Sequence, residues 1–61
     1  ISLHEYFVKT RLQYAKFLLT STNITITEIA AKCGFNDNVY FGKVFKKYET
    51  FTPQEYRKRF E

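Results

Sequence analysis

The chain is short of nearly everything that builds chemistry into a small protein. Its 61 residues include one Cys, one His, one Pro and two Gly, with no Met and no Trp. A single cysteine, Cys33, excludes an intramolecular disulfide and any four-cysteine zinc site. One His and one Cys cannot close a structural zinc shell without several carboxylates, so no metal or cofactor is expected. No apolar run approaches the roughly 18–20 residues that span a bilayer, and no signal peptide is visible. Strand cues are also poor: no stretch alternates cleanly, and no Asn-Gly or Asp-Gly turn occurs. There is no Ser-His-Asp set, no paired carboxylates with an evident pocket and no phosphate-cradling glycine loop. A domain of about 60 residues buries only about 60% of its unfolded surface, which leaves little room for a deep pocket. An enzyme is therefore not expected. The chain starts at Ile1 rather than Met, as a piece excised from a longer protein would.

What is present is helical punctuation. Three Ser/Thr-x-x-Glu patterns occur, Ser2–Glu5, Thr25–Glu28 and Thr52–Glu55. In each, the hydroxyl can cap an orphan N–H while the Glu reaches back to the cap's own N–H. Ile24 and Ile29 occupy the two positions of a hydrophobic staple around the second. Pro53 stands at the first helical position after the third, where its missing N–H costs nothing. Four helices are predicted: about Leu3–Thr20, Ile26–Cys33, one from Asn36 or Asp37 to Tyr48, and Pro53–Phe60. Thr20-Ser21-Thr22-Asn23 is a polar linker. Gly34 is a good left-handed terminator, and Asn36 and Asp37 are both competent N-caps.

Ile26, Ile29, Ala30 and Cys33 form a one-sided apolar stripe at i, i+3, i+4 and i+7. Phe41, Val44, Phe45 and Tyr48 repeat it. Two short amphipathic helices joined through Cys33-Gly34-Phe35-Asn36 make a helix-turn-helix over 26–48, and Phe35 should plug the shared core. Cys33 lies on the apolar stripe and reads as a small hydrophobe. His4 reads as a surface or packing residue.

The first helix differs. Val8, Leu12, Ala15, Leu18 and Leu19 form one stripe; Leu3, Phe7, Thr10, Tyr14 and Phe17 form a second on another side. A helix apolar on two sides is normally buried on two sides. The rest of this chain can cover only one, so this helix is expected to bridge to a further module. The plain alternative is that the rings simply lie on the surface.

Ten Lys+Arg against six Asp+Glu give a net charge of +4, which suits an anionic partner. The excess concentrates late: residues 43–61 hold six Lys/Arg and three Glu, residues 1–42 four and three acids. On the third helix, the face opposite Phe41 and Phe45 holds Val39, Lys43 and Lys46. Asn38 and Gly42 flank it on one side and Lys47 on the other. Such a face suits a DNA major groove, with N-terminal side chains at base edges and lysines near phosphates. Gly42 would allow close approach. On charge alone, an ordinary solvated face with lysines complementing the helix dipole remains open.

Taken in order, Ile26-x-x-Ile29-Ala30-x-x-Cys33-Gly34-Phe35, Tyr40-Phe41-x-x-Val44-Phe45-Lys46-Lys47-Tyr48 and Thr52-Pro53-x-x-Tyr56-Arg57 resemble the AraC/XylS-type bacterial transcription regulators. Tyr6, Arg11-Leu12, Ala15 and Leu18-Leu19 resemble that family's connecting helix. The resemblance covers essentially the whole chain. It implies an all-α, homeodomain-like helix-turn-helix fold with a long N-terminal connecting helix (1–20) and a short C-terminal helix (53–60). The chain would be part of a larger DNA-binding domain, with another helix-turn-helix unit upstream. The implied function is sequence-specific DNA binding in a cytoplasmic bacterial regulator, with the recognition helix, 37–48, in the major groove.

By position, the resemblance puts Asn38, Val39, Gly42 and Lys43 at bases and Lys46 and Lys47 near phosphates. Thr25 and Thr27 open the second helix, whose N–H groups can take a phosphate. Arg11 matches a connecting-helix arginine expected to be structural or paired in the interior. Phe41, Phe45, Pro53 and Tyr56 match core positions. Val39 stands where a small polar residue is common and suits a thymine methyl. Gly42 replaces a common Ser or Thr, Lys43 a common Arg, and Glu49-Thr50 a usual Thr-Gly. The implied partners are double-stranded DNA, the upstream unit and RNA polymerase. The alternative function is a protein-interaction module, in which the aromatic stripe of helix 3–20 binds a partner or pairs two copies through Phe7, Tyr14 and Phe17.

Overall fold

The structure, a computed structural model, describes residues 1–60 and contains four helices: α1 (Leu3–Ser21), α2 (Ile26–Lys32), α3 (Asn38–Glu49) and α4 (Pro53–Phe60). Each starts where a side chain can satisfy its first N–H groups. The Ser2 hydroxyl accepts the Glu5 N–H at 3.1 Å, and Thr25 does the same for Glu28 at 3.1 Å. In both, the Glu carboxylate turns to the capping hydroxyl at 3.3 Å rather than to the backbone. Only the third box closes reciprocally. The Thr52 N–H donates to Glu55 Oε1 at 2.9 Å, and the Glu55 N–H donates to the Thr52 hydroxyl at 3.1 Å. Asp37 rather than Asn36 caps α3, accepting from the Val39 and Tyr40 N–H groups at 2.8 and 3.4 Å.

The turn between α2 and α3 is a Schellman motif. Cys33 is the cap residue, one position beyond the helix, and not the last helical residue as expected. The Phe35 N–H donates to Ala30 O at 2.9 Å and the Gly34 N–H to Ala31 O at 3.1 Å, which satisfies two orphan carbonyls. Gly34 makes this possible with φ 88°, a conformation that a Cβ penalises. Phe35 then drops into the interior beside Ala30. Its ring centroid lies 5.1 Å from that of Phe41.

The core is one cluster. It takes Val8, Leu12, Ala15, Leu18 and Leu19 from α1, Ile29, Ala30 and Cys33 from α2 and its cap, Phe35 from the turn, and Phe41 and Phe45 from α3. Val44, Tyr48 and Tyr56 pack partly buried against it. Full burial of a Leu, Ile or Phe side chain contributes about 1.5–3 kcal/mol each. Leu12, Leu19, Ile29, Phe41 and Phe45 are all below 2% exposed. Helix α1 packs on α2 and α4, and α3 packs on both α2 and α4. Two polar ties complete the frame. The Lys16 ammonium meets Glu49 Oε1 at 3.2 Å, joining α1 to the end of α3. Arg57 on α4 donates to two carbonyls at the end of α1.

The second stripe of α1 is not covered. Leu3, Phe7, Tyr14 and Phe17 are all exposed, Phe17 to 62%. Of the two roles expected for Arg11, structural or paired in the interior, the interior pairing does not form. Arg11 is exposed, along a groove with Val8, Gly34 and Asp37. Its guanidinium approaches the outer side of the Gly34 turn, where a Cβ would lie 3.7 Å from Arg11 Nε. The turn brings it backbone and no carboxylate within ion-pair distance.

Candidate nucleic-acid interface

The candidate site is the outward side of α3. The Phe41 and Phe45 side chains anchor the opposite side in the core, against α2 and α4, with no exposed surface left on either residue. That anchoring turns Asn38, Val39, Lys43, Lys46 and Lys47 to solvent. Val39 is 62% exposed, although nothing about helix stability favours a β-branched apolar residue in water. Gly42 is half-buried, and a Cβ built on it would meet nothing within 4 Å. The fold therefore does not need glycine here, and glycine weakens a helix by about 1 kcal/mol relative to Ala.

The face is graded in charge. Its N-terminal end carries an amide, a valine and a glycine, and its C-terminal end carries three lysines. Lys46 and Lys47 lie in the last turn, where cations complement the helix dipole. Lys46 also faces Glu55 of α4, which contributes to holding that carboxyl below its ordinary range, after the larger effect of the Thr52 hydrogen bonds. The Lys47 ammonium lies 5.8 Å from the Tyr48 ring centroid.

Thr25 and Thr27 sit at the start of α2, and both are exposed. The Thr25 hydroxyl is engaged in the cap. The Thr27 hydroxyl accepts the Asn38 side-chain amide at 3.2 Å, which brings the head of α2 and the head of α3 together. Sequence reasoning placed both residues near DNA without seeing this link, because they stand 11 positions apart. It also missed Tyr40, which is 52% exposed at the edge of the face with its ring 6.1 Å from Phe35. The spacing already turned Phe41 inward, but Tyr40 beside it was not singled out as part of the exposed face. Cys33 is buried in the core, and that burial pushes its thiol above the usual range. It takes no part in this face.

The family model described as "Helix-turn-helix domain" matches residues 1–59. The chain belongs to the AraC-type helix-turn-helix family. It is thus a DNA-binding unit of the kind found in transcription regulators, a family without enzymatic activity. The AraC-type chain is 43% identical over 60 residues to the HTH-type transcriptional activator RhaR of Yersinia pseudotuberculosis, covering 98% of this chain and 21% of RhaR. It is 40% identical to an uncharacterized HTH-type regulator, YijO, of Escherichia coli, covering 98% and 21%. Among solved structures, the C-terminal domain of the two-component response regulator yesN from Fusobacterium nucleatum superposes with a TM-score of 0.91 at 42% identity, covering 93% of this chain and 55% of that one. The xylose-binding transcription activator xylR superposes with a TM-score of 0.88 at 39% identity, covering 97% and 16%. This AraC-type unit therefore spans about a fifth of the length of the curated relatives it matches. No helix among the described residues is long and apolar enough to cross a membrane.

Proposed function

We propose that α3 enters the DNA major groove and reads sequence for a bacterial transcription regulator. Asn38, Val39, Gly42 and Lys43 face base edges, and Lys46 and Lys47 approach phosphates. Thr25 and Thr27 lie beside the backbone at the head of α2. The observation that carries this reading is the division of α3: Phe41 and Phe45 are fully buried while the opposite face has no packing duty. Val39 supplies an apolar contact for a thymine methyl and Lys43 a donor for guanine. Gly42 lets the backbone come close to the groove.

The test is a pair of alanine variants. Lys43→Ala weakens binding to the selected sequence by about 1–3 kcal/mol and relaxes preference at one base pair. Lys46→Ala weakens binding to all duplexes alike and lowers the salt slope by about one unit. Equal effects of Lys43→Ala on every sequence remove its base-reading role; an unaltered slope in Lys46→Ala removes the phosphate contact.

The uncovered α1 stripe supports a second element of the proposal. Leu3, Phe7, Tyr14 and Phe17 form the seat of an upstream helix-turn-helix unit of the same protein, with residues 1–20 as the connecting helix. The length of the yesN domain, of which this chain covers 55%, fits that arrangement. Pairing of two copies through Phe7, Tyr14 and Phe17 is the competing use, and light scattering on this chain separates them. RNA polymerase as a further partner, and a cytoplasmic location, follow from the same regulator reading.

A further inference from the structure

Thr27 stands on α2 and Asn38 on α3, so a hydrogen bond between them crosses the two helices of the motif. Asn38 is the first residue of α3, and its Nδ2 donates to the Thr27 Oγ1 at 3.2 Å. Both residues are exposed on the side where α3 carries no core residue. A side-chain amide has two N–H donors and a carbonyl with two acceptor sites. With one N–H held by Thr27, one N–H and the whole carbonyl remain. Those two groups match adenine in the major groove, where N7 accepts and the N6 amino group donates.

We infer that Thr27 is a positioning residue for base readout: it holds the Asn38 amide with its carbonyl and second N–H turned outward, and so gives α3 a preference for adenine at one position. The inference rests on the major-groove reading of α3. It differs from a phosphate role for Thr27, because the hydroxyl acts on Asn38 and not on the DNA backbone. Without the hydroxyl, an exposed Asn rotates among its χ2 settings and presents either edge. Fixing it before binding reduces the ordering cost of association.

The experiment is selection of duplexes from a randomised library at low salt, on the native protein and on Asn38→Ala, Thr27→Val and Thr27→Ser, each checked for helicity by circular dichroism. The native protein is expected to enrich adenine at one position. Asn38→Ala abolishes that enrichment. Thr27→Val, which keeps the shape but removes the acceptor, lowers it by about tenfold, the scale of one bidentate contact. Thr27→Ser restores it, which ties the enrichment to the hydroxyl; a phosphate contact would instead lower affinity for every duplex alike and leave the base preference in place. Full enrichment in Thr27→Val overturns the positioning role while leaving α3 as the reading helix. Enrichment surviving in Asn38→Ala overturns it as well, because Asn38 is then not read. Absence of any selected sequence in the native protein overturns the major-groove reading together with this inference.

Discussion

The Arg57 guanidinium closes the C-terminus of α1, its Nε donating to Leu19 O at 3.1 Å and its Nη2 to Thr22 O at 3.3 Å. The last carbonyls of a helix have no partner within it, and a cation there complements the dipole. Arg57 also ties the last helix to the first, which otherwise meet through side-chain packing alone. A hydrogen bond from a charged donor contributes about 1.5–3 kcal/mol. Arg57→Ala should therefore destabilise the chain by about 1.5–3 kcal/mol in urea melts. Arg57→Lys, which cannot form the two-pronged contact, should recover only part. Wild-type stability in Arg57→Ala would mean that the two bonds contribute nothing.

Gly42 separates fold from function. A Cβ there meets nothing within 4 Å, so Gly42→Ala should raise stability by about 1 kcal/mol, the difference in helix propensity. If the backbone at Gly42 lies against the groove, the same methyl should lower DNA affinity. Stability and affinity are then expected to move in opposite directions. A variant that gains both would place position 42 away from the DNA.

Thr50 sits at the end of α3 with φ 77°, the sole non-glycine residue at positive φ among those described. A β-branched residue is a steric outlier in that region. Thr50→Gly should stabilise the chain by about 1 kcal/mol, after allowing for the extra freedom that glycine has when unfolded. Thermal melts decide this, and a lower melting temperature in Thr50→Gly would show that the threonine side chain makes up for its strained backbone.

Glu55 gives the chain an acid-sensitive cap. Acceptance of the Thr52 backbone N–H, then its hydrogen bond with the Thr52 side chain, holds the carboxyl below its ordinary value, with a smaller contribution from Lys46. A carboxyl lowered on folding favours the native state in its ionised form. Its contribution is complete above the unfolded value, about 4.3, and disappears as pH falls through the lower native value. Glu55→Gln should therefore match the native protein more closely at about pH 3 than at about pH 6. Parallel melting curves for the two proteins across this interval would show that the carboxylate is not favoured by the cap.

The features legible in the sequence are those that act within about one helical turn. Ser2, Thr25 and Thr52 each cap the helix that follows, and Gly34 ends α2, because these choices involve neighbours three or four residues away. The core face of α3 was equally legible from the spacing of Phe41, Val44, Phe45 and Tyr48. Boundaries moved by a residue where two groups compete. Asn36 and Asp37 both can cap, and the carboxylate accepts from two N–H groups. Cys33 belongs to the cap because the Schellman turn takes the last carbonyls.

Long-range polar partners were not legible. Arg57 and Leu19 are 38 positions apart, and Lys16 and Glu49 are 33 apart. No local pattern separates such residues from solvated charges. Arg57 stood among the basic residues of the C-terminal segment, yet its guanidinium is turned inward and is withdrawn from any anionic partner. Arg11 shows the converse: a basic residue on the connecting helix, expected to be structural or paired in the interior, that lies exposed against the Gly34 turn.

Because α3 is held through Phe41, Phe45 and their neighbours Val44 and Tyr48, the residues on its far side are close to interchangeable as far as folding is concerned. Val39 and Lys43 can be swapped for other side chains without disturbing the scaffold beneath. If Val39 and Lys43 read bases as proposed, operator preference can drift, or be retargeted by engineering, while the same four-helix frame is kept.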